Sequence, residues 1–169
     1  MMKVDIRNER AEDIEQIAAV TIAAFAQAEH SSHTEQFIVD ALRKAGQLTV
    51  SLVAVDQERV VGHVAISPVT VSSGAAGWYG LGPLSVLPDW QGRGIGASLM
   101  KAALSELQDQ GAAGCVVLGD PAYYSRFGFN AHAELVLPGV PHVYFQALSF
   151  CGDVPAGTVE YHDAFNATA

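Results

Sequence analysis

The sequence is short of basic residues, cysteine and long apolar runs, and each shortage excludes a class of protein. Only 9 Lys and Arg face 18 Asp and Glu, a net charge of −9, which argues against a nucleic-acid partner because phosphate binding needs clustered cations. Two cysteines, Cys115 and Cys151, give no disulfide framework. No apolar run reaches the roughly 18 residues of a membrane span, and the N-terminus MMKVDIRNER lacks the apolar stretch of a secretory signal. We therefore expect a cytoplasmic protein.

What is present is enough apolar material for one folded domain. The chain has 169 residues, of which 50% are hydrophobic, so it is not a disordered chain. No repeat, low-complexity tract or linker divides it, and residues 1–169 are expected to form a single domain. The acidic balance suits a cationic amine substrate, but it also suits a protein that simply stays soluble.

One stretch organises the rest of the chain. The pattern predicts a strand over Trp78–Val86, a turn over Gln91–Gly96 that contains three glycines, and a helix over Gly96–Gln110 that is followed by Gly111 as its C′ residue. The first N–H groups of a helix have no partner within it and carry partial positive charge, and glycines let a ligand approach the backbone closely. The turn therefore predicts an anion site suited to phosphate.

Two familiar phosphate loops do not match this turn. A Walker loop needs Gly-x-x-x-x-Gly-Lys-Ser/Thr, which is absent, and the dinucleotide fingerprint Gly-x-Gly-x-x-Gly fails because position 99 is leucine. The hexapeptide QGRGIG instead resembles the pyrophosphate loop Gln/Arg-x-x-Gly-x-Gly/Ala of the GNAT acyltransferases. The preceding LSVLPDW and the following helix agree with it, and GDPAYYSRFGF resembles the YhbS-type branch of that superfamily.

The other segments fit the α/β sandwich with a mostly antiparallel sheet that this resemblance implies. Helices are predicted over Ala11–Phe25, from an N-cap at Ser32 in a capping box with Glu35 to Gly46, and over Pro121–Phe127. Strands are predicted over Val4–Arg7, Thr49–Val55, Val60–Val71, Gly114–Leu118, His132–Leu137, Val143–Leu148 and Thr158–Tyr161.

The resemblance implies acetyl-CoA as cosubstrate. Its pantetheine arm is expected to pair with backbone groups of Leu84, Ser85 and Val86, and its thioester to lie between that strand and Gly114–Leu118. The pyrophosphate is expected on the turn and helix start, through Gln91, Gly92, Arg93, Gly94, Ile95, Gly96, Ala97 and Ser98.

A tyrosine matches the general acid of the family. Tyr124 stands four residues before Gly128, and a phenol stays protonated at neutral pH and can donate to a departing thiolate. Many members carry Asn and Ala at the positions of Val117 and Asp120, so the amide contact that they make is not expected here. Asp120 before a proline instead predicts a helix N-cap. Arg126 is interpreted as a solvated or CoA-facing charge.

The general base stays open. His63, Glu35, His33 and His142 are candidates, as is a water chain, and the link Ala26–Thr34 is a candidate acceptor loop by resemblance. The six histidines and two cysteines show no metal-ligand spacing, so no metal is expected.

The expected function is transfer of an acetyl group from acetyl-CoA to a small-molecule amine. A module of the same fold that binds or senses CoA without catalysis is the alternative, and a nucleotide-phosphate binder is disfavoured by the failed loop patterns. Homodimers are common in this superfamily, but nothing in the sequence defines an interface.

Overall fold

A computed structural model describes residues 4–28 and 33–168, which form a mixed sheet flanked by helices. Its strands are β1 (Asp5–Asn8), β2 (Val50–Asp56), β3 (Arg59–Val71), β4 (Trp78–Val86), β5 (Gly114–Leu118), β6 (Asn130–Ala131), β7 (Leu135–Val136), β8 (Phe145–Ser149) and β9 (Gly157–Tyr161). The order is β1-β2-β3-β4-β5-β8-β6, and β9 pairs with both β3 and β7. Among these pairs only β4–β5 and β7–β9 are parallel, which confirms the predicted α/β fold with a mostly antiparallel sheet.

The helices lie on both faces of this sheet. They are α1 (Ile14–Phe25), α2 (Glu35–Lys44), α3 (Ile95–Asp109) and α4 (Pro121–Tyr124). Through its stripe Leu99, Met100 and Ala103, α3 packs on the main core, which includes Ile66 and Leu81 of the sheet. Since α1 and α2 cover the other face, both faces of β3 are buried, which explains its long apolar run.

Elements fixed by local signals lie close to their predicted bounds. β4 and β5 have the predicted ends, and α3 begins one residue before the predicted start and ends one residue before the predicted end. Both cysteines are free, as expected of a chain without a disulfide framework. Cys115 is fully buried, and burial raises the pKa of its thiol.

The start of the second helix was predicted wrongly. Ser32 lies outside the described residues, but α2 begins at Glu35 with Thr34 at the N-cap position, so Glu35 is the first residue of the helix. The helix ends as predicted before Gly46, whose φ of +71° suits glycine. The first predicted helix is also divided, since Ala11–Asp13 forms a 3₁₀ turn ahead of α1.

The strand predicted over His132–Leu137 is not continuous. The chain instead forms two short strands, β6 on β8 and β7 on β9, with a turn between them. The one predicted over Val143–Leu148 begins with the 3₁₀ turn His142–Tyr144 and becomes β8 only at Phe145. In both places the pairing partner, rather than the local pattern, sets the strand ends.

Candidate functional site

The strands β4 and β5 separate at the centre of the sheet. They pair in parallel from Trp78 with Gly114 to Leu81 with Val117. Beyond Leu81, β4 continues to Val86 with β3 as its neighbour on one side only. The other edge of residues 82–86 therefore offers backbone N–H and C=O groups to a ligand, as an open sheet edge does.

The backbone after β4 turns sharply into α3. A 3₁₀ turn, Pro88–Trp90, is followed by Gly92 with φ of +75° and Gly94 with φ of +83°, and α3 begins at Ile95. A Cβ at either glycine would meet no atom within 4 Å, so the left-handed backbone, not crowding, calls for glycine there. The Nε2 of Gln91 donates to the carbonyl of Val86 at 3.0 Å, which ties the turn to the end of β4.

The start of α3 offers unpaired backbone donors. The N–H of Ser98 donates to the carbonyl of Gly94 at 3.0 Å and is the first helical hydrogen bond. The preceding N–H groups, of Ile95, Gly96 and Ala97, have no partner within the helix. They lie at the positive end of the helix dipole, so the turn has the chemistry of an anion site.

A cleft of about 470 Å³ joins the turn to the open edge of β4. Most of the residues predicted for a CoA site line it, namely Leu84, Val86, Gln91, Gly92, Gly94, Ile95, Gly96 and Ala97. Ser85, Arg93 and Ser98 do not line it. The Ser85 side chain points to the other face of the sheet, where it lies opposite His63 and is 1% exposed, whereas its backbone remains part of the β4 edge. The Arg93 guanidinium lies over the Trp90 ring, 5.2 Å from its centroid.

Five further residues line the cleft that were not among the predicted CoA-binding residues. Ala24 and Phe25 come from the end of α1, Trp90 from the 3₁₀ turn before the glycines, and Tyr123 and Arg126 from α4 and the 3₁₀ turn after it. Phe25 had a sufficient explanation as part of the apolar face of α1, and helical periodicity cannot tell which end of a helix reaches a cleft. Arg126, interpreted from the sequence as a solvated or CoA-facing charge, lies in the cleft wall.

The two neighbouring tyrosines point in different directions. Asp120 caps the short helix as predicted, accepting from the N–H of Ala122 at 2.9 Å. The rings of Tyr123 and Tyr124 are perpendicular, with centroids 5.0 Å apart. Tyr123 faces the glycine turn, since a Cβ on Gly96 would lie 3.0 Å from its hydroxyl oxygen. Tyr124 packs instead beside Gly119 and Phe129 near the end of β5, outside the lining of the cleft.

The Tyr124 hydroxyl is in its protonated form at neutral pH. Burial is the main cause that raises its pKa to about 12, and the neighbouring Tyr123 and Asp120 act in the same direction. It can therefore donate a proton but cannot act as a base in this range.

Of the candidate bases, His63 belongs to a buried polar cluster under α2. Its Nε2 lies 2.8 Å from the Ser51 hydroxyl, which donates to Glu9, and Arg43 binds the same Glu9 carboxylate with two hydrogen bonds of 2.8 Å. Burial lowers the pKa of His63 to about 4, so the imidazole is neutral at pH 7. This cluster joins β2, β3 and α2 to Glu9, the residue that follows β1, and its fully buried histidine does not line the cleft.

The other candidate bases lie elsewhere. His142 is exposed in a 3₁₀ turn, His33 is exposed with φ of 60°, and Glu35 begins α2. Within residues 4–28 and 33–168, no three His, Cys, Asp or Glu side chains are grouped so that they could hold a metal ion. In that same part of the chain, every helix is too short or too polar to cross a membrane.

Comparison with known proteins agrees with this geometry. The family described as "Acetyltransferase (GNAT) domain" matches residues 5–131. The chain belongs to the GNAT acetyltransferase family. It is 40% identical over 158 residues to the uncharacterized N-acetyltransferase YhbS of Escherichia coli K12, covering 89% of this chain and 94% of YhbS. Like its family, it is an acetyltransferase.

Two solved structures of the family resemble it over almost their whole length. A GNAT acetyltransferase from Brucella melitensis, in complex with acetyl-CoA, has 48% identity and a TM-score of 0.87, covering 98% of this chain and 99% of that one. YhbS from E. coli, in complex with CoA, has 37% identity and a TM-score of 0.89, covering 100% of this chain and 95% of that one.

Proposed function

We propose that this acetyltransferase moves an acetyl group from acetyl-CoA directly to a primary amine of a small molecule. The observation that carries the proposal is the cleft, which has unpaired helix N–H groups at one end and the open edge of β4 along one side. Similar proteins with acetyl-CoA or CoA bound support the choice of ligand. Acetyl-CoA supplies the acetyl group as a thioester, which an amine can attack.

The residues of the cleft fit the parts of this ligand. The open backbone from Gly92 to Ala97 suits a diphosphate, because it combines left-handed glycines with the start of a helix. Backbone groups of Leu84, Ser85 and Val86 on the free edge of β4 suit the amides of a pantetheine arm, as an added strand would. The divergence of β4 from β5 leaves room beyond Leu81 for the reacting group.

Tyr124 is proposed as the general acid. Its hydroxyl oxygen holds a proton at neutral pH and can give it to a departing thiolate. It packs beside Gly119, which follows β5, and against Phe129, whereas the Tyr123 hydroxyl faces the glycine turn and is poorly placed for that step.

The acceptor is proposed to be a small cationic amine. The net charge of −9 favours the approach of a cation over an anion. Such an amine must lose a proton before it attacks, and His63 is unsuited to take it directly because the ring is fully buried and engaged with Ser51. Water in the cleft is the better candidate for that proton.

Calorimetry with acetyl-CoA, followed by thiol release against a panel of amines, tests the proposal. We expect binding in the micromolar range and turnover with at least one amine. Tyr124→Phe should lower kcat by about 100-fold or more while CoA affinity changes less than about twofold, since general acids typically contribute 10²–10⁴. Tyr144→Phe, which removes a hydroxyl from a 47% exposed ring, is the matched control.

Absence of binding at millimolar acetyl-CoA would reject the proposal. Equal turnover of the Tyr124→Phe variant and the wild type would reject only the acid role of that hydroxyl.

A further inference from the structure

The wall of the cleft that faces the glycine turn carries a positive charge. Tyr123 and Arg126 line the cleft together with Gly94 and Gly96. Among the described residues that line it, Arg126 has the only charged side chain. An anion bound on the turn would therefore share the cleft with the Arg126 guanidinium.

Aromatic contacts hold Arg126 in place. Its Cζ lies 4.8 Å from the centroid of the Tyr123 ring and 5.5 Å from that of Phe127, both within the range of cation–π attraction. The Tyr123 ring reaches across to the helix start, where its hydroxyl would be 3.0 Å from a Cβ on Gly96. The ring is therefore a platform that keeps the guanidinium at the end of the cleft where the helix N–H groups are.

The charges of the ligand and of the turn do not balance without Arg126. A diphosphate diester carries two negative charges, whereas a helix N-terminus supplies only about half a positive charge. The chain as a whole, with a net charge of −9, repels an anion. A guanidinium is well suited to complete the site, because its planar donors bind phosphate oxygens in pairs.

We propose that Arg126, positioned by the ring of Tyr123, binds the diphosphate of CoA from the side opposite the glycine turn. The inference rests on the proposed CoA ligand and adds a second wall to its site. It also separates the two tyrosines, since Tyr123 serves the diphosphate end and leaves Tyr124 for the reacting end.

Calorimetric titration of the full chain with CoA and with dephospho-CoA, which lacks the 3′-phosphate, tests this role without any acceptor. We expect Arg126→Gln to weaken both ligands by about 10-fold, the effect of one charge-assisted hydrogen bond. Arg126→Lys keeps the charge and should recover most of the affinity for both. Lys44→Gln removes the same charge from the exposed end of α2 and should leave both affinities unchanged.

The platform is tested in the same way. Tyr123→Leu should weaken both ligands by about threefold to fivefold, and the loss should be much smaller in an Arg126→Gln background because the two residues act through one another. Arg126 is exposed, so the variant is expected to unfold at the same temperature as the wild type.

Three results would overturn the inference. Arg126→Gln could bind CoA as the wild type does, or it could lose affinity for CoA but not for dephospho-CoA, which would place the guanidinium on the 3′-phosphate instead. If wild type itself does not bind CoA, the proposed function fails together with the inference, whereas wild-type binding with an unaffected variant overturns the inference alone.

Discussion

Mild acid should destabilise the protein through one buried histidine. His63 has no exposed surface, and its Nε2 is 2.8 Å from the Ser51 hydroxyl in the cluster with Glu9 and Arg43. Burial, aided by the charge of Arg43 and opposed by that of Glu9, lowers the pKa of the imidazole from 6.5 to about 4. Folding therefore favours the neutral ring, and protonation favours the unfolded chain.

The size of this effect follows from the two pKa values. Since the folded-state pKa is depressed, the stabilisation is present above the unfolded pKa of 6.5 and is lost as the pH falls towards about 4. The full difference corresponds to about 3 kcal/mol, of which about 2 kcal/mol is lost between pH 7 and pH 5. At still lower pH the carboxylates of Glu9 and Asp13 add a further loss, because hydrogen bonds, above all from Arg43 and Arg7, outweigh burial and lower the pKa of each group.

Urea denaturation at pH 7 and pH 5 measures this loss. The free energy of unfolding of the wild type should fall by about 2 kcal/mol between the two values. A His63→Gln variant keeps a polar side chain but cannot titrate, so its unfolding free energy should fall by much less. Equal losses in the two proteins would refute the argument that burial of this imidazole controls the pH dependence.

Two further substitutions give separate tests. Gly94→Ala should lower the free energy of unfolding in urea by about 1–2 kcal/mol, because the φ of +83° strains any residue with a Cβ. The variant should still fold, since the added Cβ meets no atom within 4 Å, and it should bind CoA more weakly in calorimetry. An unchanged free energy of unfolding would contradict the account of the turn. Tyr161→Phe should leave the free energy of unfolding, measured by urea denaturation, unchanged or raise it by about 1 kcal/mol, because the Tyr161 hydroxyl is buried without a partner among the described residues. A loss of more than about 1 kcal/mol would show that this hydroxyl is hydrogen-bonded in solution.

The central β-turn-α unit was predictable because its signals are local. Apolar alternation sets β4, and Gly92 and Gly94 occupy left-handed positions that other residues rarely adopt. The cap at Asp120 was predictable for the same reason, since a carboxylate two residues before the N–H that it binds needs no distant partner.

The capping box at Ser32 is a local pattern that misleads, because α2 begins three residues later, at Glu35. The remaining features depend on contacts between distant parts of the chain. Neither the approach of Tyr123 to Gly96 nor the joining of His63 to Glu9 through Ser51 leaves a pattern in the sequence, because strand pairing and helix packing create both.

A crystal structure with acetyl-CoA bound would test the central claim most directly. The diphosphate oxygens are expected within hydrogen-bond distance of the N–H groups of Gly94 to Ala97, with the pantetheine amides paired to the free edge of Leu84–Val86. A ligand bound elsewhere, or a β4 edge left without a partner in that complex, would contradict the account.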